Sequence, residues 1–114
     1  SRQQLLNDIT SPGGGNPDGD VTIVEFFDYR CCFCKNVFNL IPTLLEQDTN
    51  VRYIFKELPI LSPASEFAAR AALVVWKNQK KKYFQFHSDL MTSQGSLSDS
   101  RTDGCCNWSR SSYP

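Results

Sequence analysis

The sequence predicts a small α/β domain built on a strand–helix–strand unit. An apolar run of β-branched and aromatic residues occupies positions 21–28, and a second run with clearer alternation occupies 51–58. Between them, residues 37–45 carry apolar side chains at helical spacing. A helix that joins two strands over so short a segment makes the strands parallel and the crossover right-handed.

The first run predicts a strand that is buried on both faces of its sheet. It reads VTIVEFFD and shows little alternation between apolar and polar residues, which is typical of a parallel strand covered by helices. Residues 11–20, just before it, contain Gly and Pro at a density that excludes a regular element.

Residues 31–47 predict one kinked helix. Val37, Ile41 and Leu44 lie on a single apolar stripe. Pro42 lies inside this stripe, where it removes a backbone hydrogen bond and should bend the helix.

Two further helices follow the second strand. Ser62 is a candidate N-cap and Pro63 suits the first helical position, so a helix should run from there to about Trp76. Residues 81–91 again follow helical spacing, with His87 on the apolar stripe as a packing residue.

The chain divides into three parts. Residues 1–20 are an N-terminal arm and turn-rich lead-in, residues 21–92 form the folded domain, and residues 93–114 form a low-order tail. The tail is rich in Ser, Gly, Asp and Arg, and it buries too little apolar area to offset its ordering entropy. We therefore expect a disordered C-terminal tail.

Composition and charge exclude several classes of partner. The 12 Lys and Arg residues balance the 12 Asp and Glu residues, so neither a nucleic acid nor an anionic membrane is expected as a partner. No apolar stretch approaches the ~20 residues that a membrane-spanning helix needs. The polar N-terminus lacks the apolar region of a signal peptide. This is expected of a cytosolic protein, or of one whose leader has been removed.

A Cys-x-x-Cys pair at the strand-to-helix junction is the strongest functional signal. Cys31 is predicted at or just before the first turn of the helix, where free backbone N–H groups and the helix dipole stabilise a thiolate. Such a position lowers a cysteine pKa from about 8.5 to between roughly 3.5 and 7.5. We expect Cys31 to attack or be attacked, and Cys34 to resolve the mixed disulfide.

Four neighbouring residues are candidates for tuning this pair. Glu25 is a carboxylate in an apolar strand, and burial near the resolving thiol would let it shuttle that thiol's proton. Lys56 on the adjacent strand is placed to face Glu25; alternatively, both side chains reach solvent at the sheet edge. Cys32 either offers a third thiol or only fills the dipeptide between the active cysteines. The Cys32-Phe33 dipeptide also influences the reduction potential.

The five cysteines leave a metal-binding module open as an alternative. Cys31, Cys34, Cys105 and Cys106 would supply four thiolates to zinc, or the triplet that includes Cys32 would hold copper(I). Their clustered spacing differs from a disulfide framework, whose cysteines are spread along the chain to close loops. As a redox protein, the chain is expected to use no metal and no cofactor.

Several segments resemble the DsbA-like thiol–disulfide oxidoreductases. The run GDVTIVEFFDYRCCFCK at 19–35 resembles their active-site strand and helix. The resemblance continues through FKELPIL at 55–61, AARAA at 68–72, Tyr83 and FHSDLM at 86–91. It implies a thioredoxin fold with an inserted helical region, export to the bacterial periplasm or cell envelope, and oxidation of thiols in other proteins.

The resemblance also implies roles for individual residues. By position, Cys31 is the nucleophile, Cys34 its buried partner and Glu25 the buried acid, with Lys56 at a charged position near that acid. Protein thiols or disulfides are the implied substrates, together with a redox partner protein. A catalytically inactive fragment that only binds partners is the remaining alternative.

The family's fold normally continues beyond the part that this chain resembles. Its members add a longer helical insert, a cis-proline loop facing the cysteines, two more strands and a final helix. Family-like sequence here ends near Leu97, so we expect a truncated or frame-shifted member. With two parallel strands its sheet would be incomplete, and the uncovered edge would favour self-association.

Overall fold

The sheet of this protein has three strands in the order β1–β3–β2. In the computed structural model, which describes residues 1–93, β1 spans Gly13–Gly15, β2 spans Val21–Phe27 and β3 spans Val51–Glu57. β2 and β3 pair in parallel along their full length, as the sequence predicts. β1 pairs with the other side of β3 in the antiparallel direction.

Five helices accompany this sheet in the described part of the chain. Their bounds are α1 Arg2–Asn7, α2 Cys32–Phe38, α3 Ile41–Gln47, α4 Pro63–Asn78 and α5 Lys80–Thr92. The predicted start of α4 is confirmed, because the Ser62 side chain caps the helix by accepting the Ser65 N–H and a proline follows the cap directly.

The strand β1 contradicts the prediction that residues 11–20 contain no regular element. Its three glycines carry no local strand signal, and β1 forms because β3 supplies a pairing edge. Gly15 has a φ of 68°, a conformation that favours glycine. A Cβ at that position would overlap the carbonyl oxygen of Val51. Glycine is therefore required for the close approach of β1 to β3, although glycine is also the residue that made this segment resemble a loop in the sequence.

The predicted single helix at 31–47 is two helices. α2 ends at Phe38, α3 begins at Ile41, and Pro42 lies in the first turn of α3. In a first turn the missing proline N–H leaves no helical hydrogen bond unmade. The prediction of a kink inside one helix is therefore wrong, because the proline lies at the start of a new helix.

The prediction that both faces of β2 are buried is wrong, because only Phe27 among its seven side chains is fully buried. β2 is also an edge strand in the described part of the chain. Phe27 is buried, whereas the Phe26 side chain is 53% exposed. β3 occupies the centre and buries Tyr53, Ile54 and Phe55. An apolar run shows that a segment can be buried, but the elements that cover each face of the sheet decide how far it is.

The hydrophobic core lies on the face of the sheet that presents Tyr53 and Phe55. α4 packs against α5, and α5 contacts α2, so the core supports the helix that follows Cys31. Its buried members are Phe27, Tyr29, Phe38, Ile41, Tyr53, Phe55, Ala68, Ala72, Tyr83 and Met91. The His87 ring is buried among these aromatic rings, as predicted for a packing residue.

Residues 94–114 lie outside the described part of the chain. The predicted tail beyond Ser93 falls there, as do Cys105 and Cys106 of the zinc alternative. Within residues 1–93, no three His, Cys, Asp or Glu side chains are grouped so as to hold a metal ion. None of the helices in that range has the length and apolarity of a membrane span.

Candidate active site

Cys31 and Cys34 come together at the start of α2. Cys31 is the N-cap residue, and its Sγ accepts a hydrogen bond from the backbone N–H of Cys34 at 3.3 Å. The chain arrives from β2 through a turn in which the Asp28 carbonyl accepts the Cys31 N–H at 3.0 Å. A sulfur atom therefore occupies the place that a Ser, Thr or Asp oxygen normally fills at a helix N-cap.

These hydrogen bonds give the two thiols opposite acidities. The pKa of Cys31 falls from 9.0 to about 6, because the Cys34 thiol and the backbone N–H groups of Cys34 and Phe33 donate to its sulfur. Donation to the Cys31 sulfur holds the pKa of Cys34 well above its ordinary value, and burial raises it further. At neutral pH, Cys31 is a thiolate and Cys34 a thiol.

Acidity rather than depth distinguishes the two cysteines. Cys31 and Cys34 are both partly buried, and they are the free cysteines of the described residues. Cys32 is the first residue of α2, is 5% exposed and is disulfide-bonded, so it is not a third free thiol in this structure. Phe33 lies beside the pair with 61% of its surface exposed.

Glu25 lies within electrostatic range of both thiols. Its carboxylate is partly buried and accepts a hydrogen bond from the Tyr53 hydroxyl at 3.0 Å. Burial raises the pKa of Glu25, the Tyr53 hydroxyl opposes this, and the negative charge of Cys31 adds to the rise. The charge of Glu25 in turn raises the pKa of Cys34.

Lys56 does not face Glu25, so that expectation is wrong. The Lys56 ammonium contacts the Ser11 hydroxyl and lies 3.5 Å from an Asp8 carboxylate oxygen. The strand register explains the difference, because Glu25 lies opposite Phe55 and successive side chains point to opposite faces of a sheet. A shift of one residue would have reversed this outcome.

Sequence reasoning missed two buried residues in the connection between β2 and α2. Asp28 is 5% exposed, and its carboxylate accepts the backbone N–H groups of Arg30 and Leu61. Tyr29 is fully buried, and its hydroxyl oxygen lies 2.7 Å from Nδ1 of His87. A signal for Asp28 was present, because an Asp that follows a strand and precedes a tight turn commonly bonds the N–H two residues on.

Comparison with known proteins identifies the family. Residues 7–104 match the family model described as Thioredoxin. The chain belongs to the thioredoxin family. A thioredoxin-like oxidoreductase from Silicibacter pomeroyi has the same fold, with a TM-score of 0.78 and 42% identity, over 95% of this chain and 61% of that one.

Two further relatives of this thioredoxin-family chain have names that describe disulfide chemistry. The thiol-disulfide exchange protein alpha-DsbA2 from Wolbachia pipientis is 36% identical with a TM-score of 0.78, over 93% of this chain and 56% of that one. Disulfide bond formation protein D of Bacillus subtilis is 34% identical over an alignment of 85 residues, and the match covers 70% of this chain and 38% of that protein. The chain therefore spans less than two thirds of each relative's length.

Proposed function

We propose that this thioredoxin-family chain exchanges disulfides with protein thiols through Cys31 and Cys34. The split acidity of the pair carries the proposal: the pKa of Cys31 is lowered to about 6, whereas that of Cys34 is raised. A thiolate is the attacking species in disulfide exchange, and an acidic thiol is also the better leaving group. The disulfide chemistry in the names of two relatives supports the same activity.

In the oxidising direction, the reaction begins from a disulfide between Cys31 and Cys34. A substrate thiolate attacks the Cys31 sulfur, a mixed disulfide forms, and Cys34 leaves and takes up a proton. A second substrate thiolate then attacks the substrate sulfur of the mixed disulfide, and Cys31 leaves as a thiolate. The substrate gains a disulfide and the chain gains two electrons. Stabilisation of the Cys31 thiolate favours this direction because it stabilises the reduced chain.

Glu25 is proposed to serve the proton that Cys34 gains and loses. Its carboxylate interacts electrostatically with both thiols, and partial burial raises its pKa above the ordinary carboxyl value. A carboxyl group with a raised pKa is better matched to proton transfer near neutral pH. Lys56 is not part of this proposal, because it pairs with Asp8 instead.

The proposal includes a location in the bacterial periplasm or cell envelope, with protein thiols as substrates and a separate protein that reoxidises the pair. Net oxidation needs a compartment in which disulfides persist, and the resemblance to DsbA-like proteins supports the same location. Self-association through the outer edge of β2 belongs to the same proposal, since β2 pairs on one side only among the described strands. Sedimentation at several concentrations would detect it.

Redox titration of the purified chain tests the proposed activity. After equilibration in glutathione buffers and trapping, peptide mass spectrometry would report the fraction with a Cys31–Cys34 disulfide. We expect the Cys31–Cys34 disulfide to form reversibly with a reduction potential above about −200 mV, in the more oxidising part of the range known for such dithiol proteins. Cys31→Ser should abolish oxidation of a reduced model protein. Given an oxidised model protein, Cys34→Ser should accumulate the mixed disulfide that forms when the Cys31 thiolate attacks the substrate disulfide and one substrate cysteine leaves as a thiolate. Oxidation that is indifferent to Cys31→Ser would exclude the proposed activity.

A further inference from the structure

The turn between β2 and α2 contains a buried carboxylate, that of Asp28, which has no role in the disulfide exchange proposed above. Asp28 follows the last residue of β2 and is 5% exposed. A buried carboxylate is costly unless hydrogen-bond donors compensate for its lost hydration. The donors that Asp28 receives come from two separate segments of the chain, and this arrangement indicates what the residue does.

The carboxylate of Asp28 joins the active-site turn to the loop that follows β3. Oδ1 accepts the backbone N–H of Arg30 at 2.8 Å, which closes the turn itself. Oδ2 accepts the backbone N–H of Leu61 at 3.0 Å, across to the loop between β3 and α4. The main-chain carbonyl of Asp28 accepts the N–H of Cys31 at 3.0 Å. Three acceptor atoms of one residue therefore hold the path of the chain into α2.

We propose that Asp28 is a positioning residue that fixes Cys31 at the N-cap of α2, where its sulfur receives the Cys34 N–H. An N-cap residue needs an extended backbone, and Cys31 has φ −82° and ψ 114°. The bond to Arg30 sets the turn that delivers the chain in this conformation. The bond to Leu61 ties the turn to the loop after the central strand. This inference rests on the proposed function, since it concerns the same cysteine pair.

A positioning role and a purely electrostatic role for Asp28 predict opposite changes in the pKa of Cys31 when Asp28 is replaced, so an experiment can separate them. The titratable groups that act on Cys31 are Asp28 from the turn, Glu25 from β2 and Cys34 from α2. The negative charge of Asp28 raises the pKa of Cys31, whereas the donors to the sulfur lower it. If Asp28 acted only as a charge, its neutralisation would make Cys31 more acidic. If it positions the sulfur, its loss weakens those donors and makes Cys31 less acidic.

The test is the pH profile of Cys31 alkylation in the reduced chain, which requires no turnover. Iodoacetamide modification would be followed from pH 4 to pH 10 and assigned to Cys31 by fragment ions. Asp28→Asn keeps the side-chain size but offers one acceptor oxygen to two donors. We expect the midpoint to rise by about one unit, so that alkylation at pH 6 falls several-fold, as weakening one hydrogen bond to a charged acceptor predicts. Asp18→Asn, at an exposed carboxylate, is the matched control and should change nothing.

Amide hydrogen exchange tests whether Asp28 holds the Cys31 sulfur against the Cys34 N–H, or stabilises only the segments that contain Arg30 and Leu61. Positioning predicts faster exchange of the Cys34 N–H in Asp28→Asn, together with those of Arg30 and Leu61. A fall or no change in the alkylation midpoint would overturn the proposal, as would an unchanged Cys34 N–H. If Asp28→Asn does not fold, the alkylation midpoint and the exchange of the Cys34 N–H are measured in Asp28→Ser instead, and the same outcomes decide. The serine hydroxyl still reaches the Arg30 N–H but not the Leu61 N–H. These readouts separate the inference from the proposed function, which is tested by whether the disulfide forms.

Discussion

Replacing Cys34 with alanine should make Cys31 markedly less acidic. The Cys34 thiol contributes more than any other group to the lowered pKa of Cys31, ahead of the backbone N–H groups of Cys34 and Phe33. Alanine removes this donor but keeps the Cys34 N–H, which lies 3.3 Å from the Cys31 sulfur. The variant therefore isolates the side-chain hydrogen bond from the N-cap geometry.

The size of the effect follows from the shift itself. A fall of the Cys31 pKa from 9.0 to about 6 is three units, or about 4 kcal/mol in favour of the thiolate. A hydrogen bond to a charged acceptor contributes about 1.5–3 kcal/mol of this. Cys34→Ala should thus raise the Cys31 pKa by about one to two units, to between roughly 7 and 8. Cys34→Ser, whose hydroxyl still donates, should raise it less.

The assay is the rate of iodoacetamide alkylation of reduced Cys31 as a function of pH. Wild type should show a midpoint near pH 6, with the serine variant above it and the alanine variant highest. As the pH falls from 9 toward 6, the free energy of unfolding of the reduced wild type should decrease more than that of Cys34→Ala. The reason is that the lowered pKa of Cys31 stabilises the fold only at pH values where Cys31 is a thiolate, and this pKa is lower in the wild type. An unchanged midpoint in Cys34→Ala, or a larger shift in Cys34→Ser, would refute the reasoning.

Three other predictions concern stability. Burial raises the pKa of Glu57 to about 8. The protonated Glu57 side chain therefore contributes its full stability below pH 4.5, and this contribution is lost as the pH rises through 8. Glu57→Gln should remove that pH-dependent loss, which is at most about 5 kcal/mol in the free energy of unfolding by urea. Burial lowers the pKa of His87 to about 4, so stability is lost as the pH falls from 6.5 through 4, at most about 3 kcal/mol; a wild-type profile matching that of His87→Phe would contradict this. Gly15→Ala should cost about 2 kcal/mol in thermal unfolding, because φ is positive and the Cβ meets Val51. Gly13→Ala, which makes ordinary contacts, is its control.

Local signals were sufficient where the deciding interaction lies within a few residues of the signal. Ser62 and Pro63 predicted the start of α4 correctly, because a cap and a first-turn proline act on the neighbouring backbone. The parallel pairing of β2 with β3 was also predicted, because the short helical connection between them constrains their direction. The Cys-x-x-Cys spacing placed both sulfurs at one helix start for the same reason.

Predictions failed where a partner distant in sequence decided the outcome. The glycines of β1 become a strand only against β3. Lys56 pairs with Asp8 because the strand register turns it away from Glu25. The link from Asp28 to Leu61 could not be predicted, because the Leu61 N–H reaches the carboxylate from another loop. None of these contacts leaves a periodic pattern or a spacing in the sequence.

The sequence by itself determined the type and direction of the central elements and the position of Cys31 at the start of a helix. These features depend on short-range backbone geometry and on the spacing of apolar residues. Only the tertiary structure decided that β2 is the edge strand among the described residues, that Lys56 is remote from Glu25, and that a buried carboxylate supports the cysteine turn. The physical reason is that strand order, register and cross-loop hydrogen bonds depend on how separate segments pack.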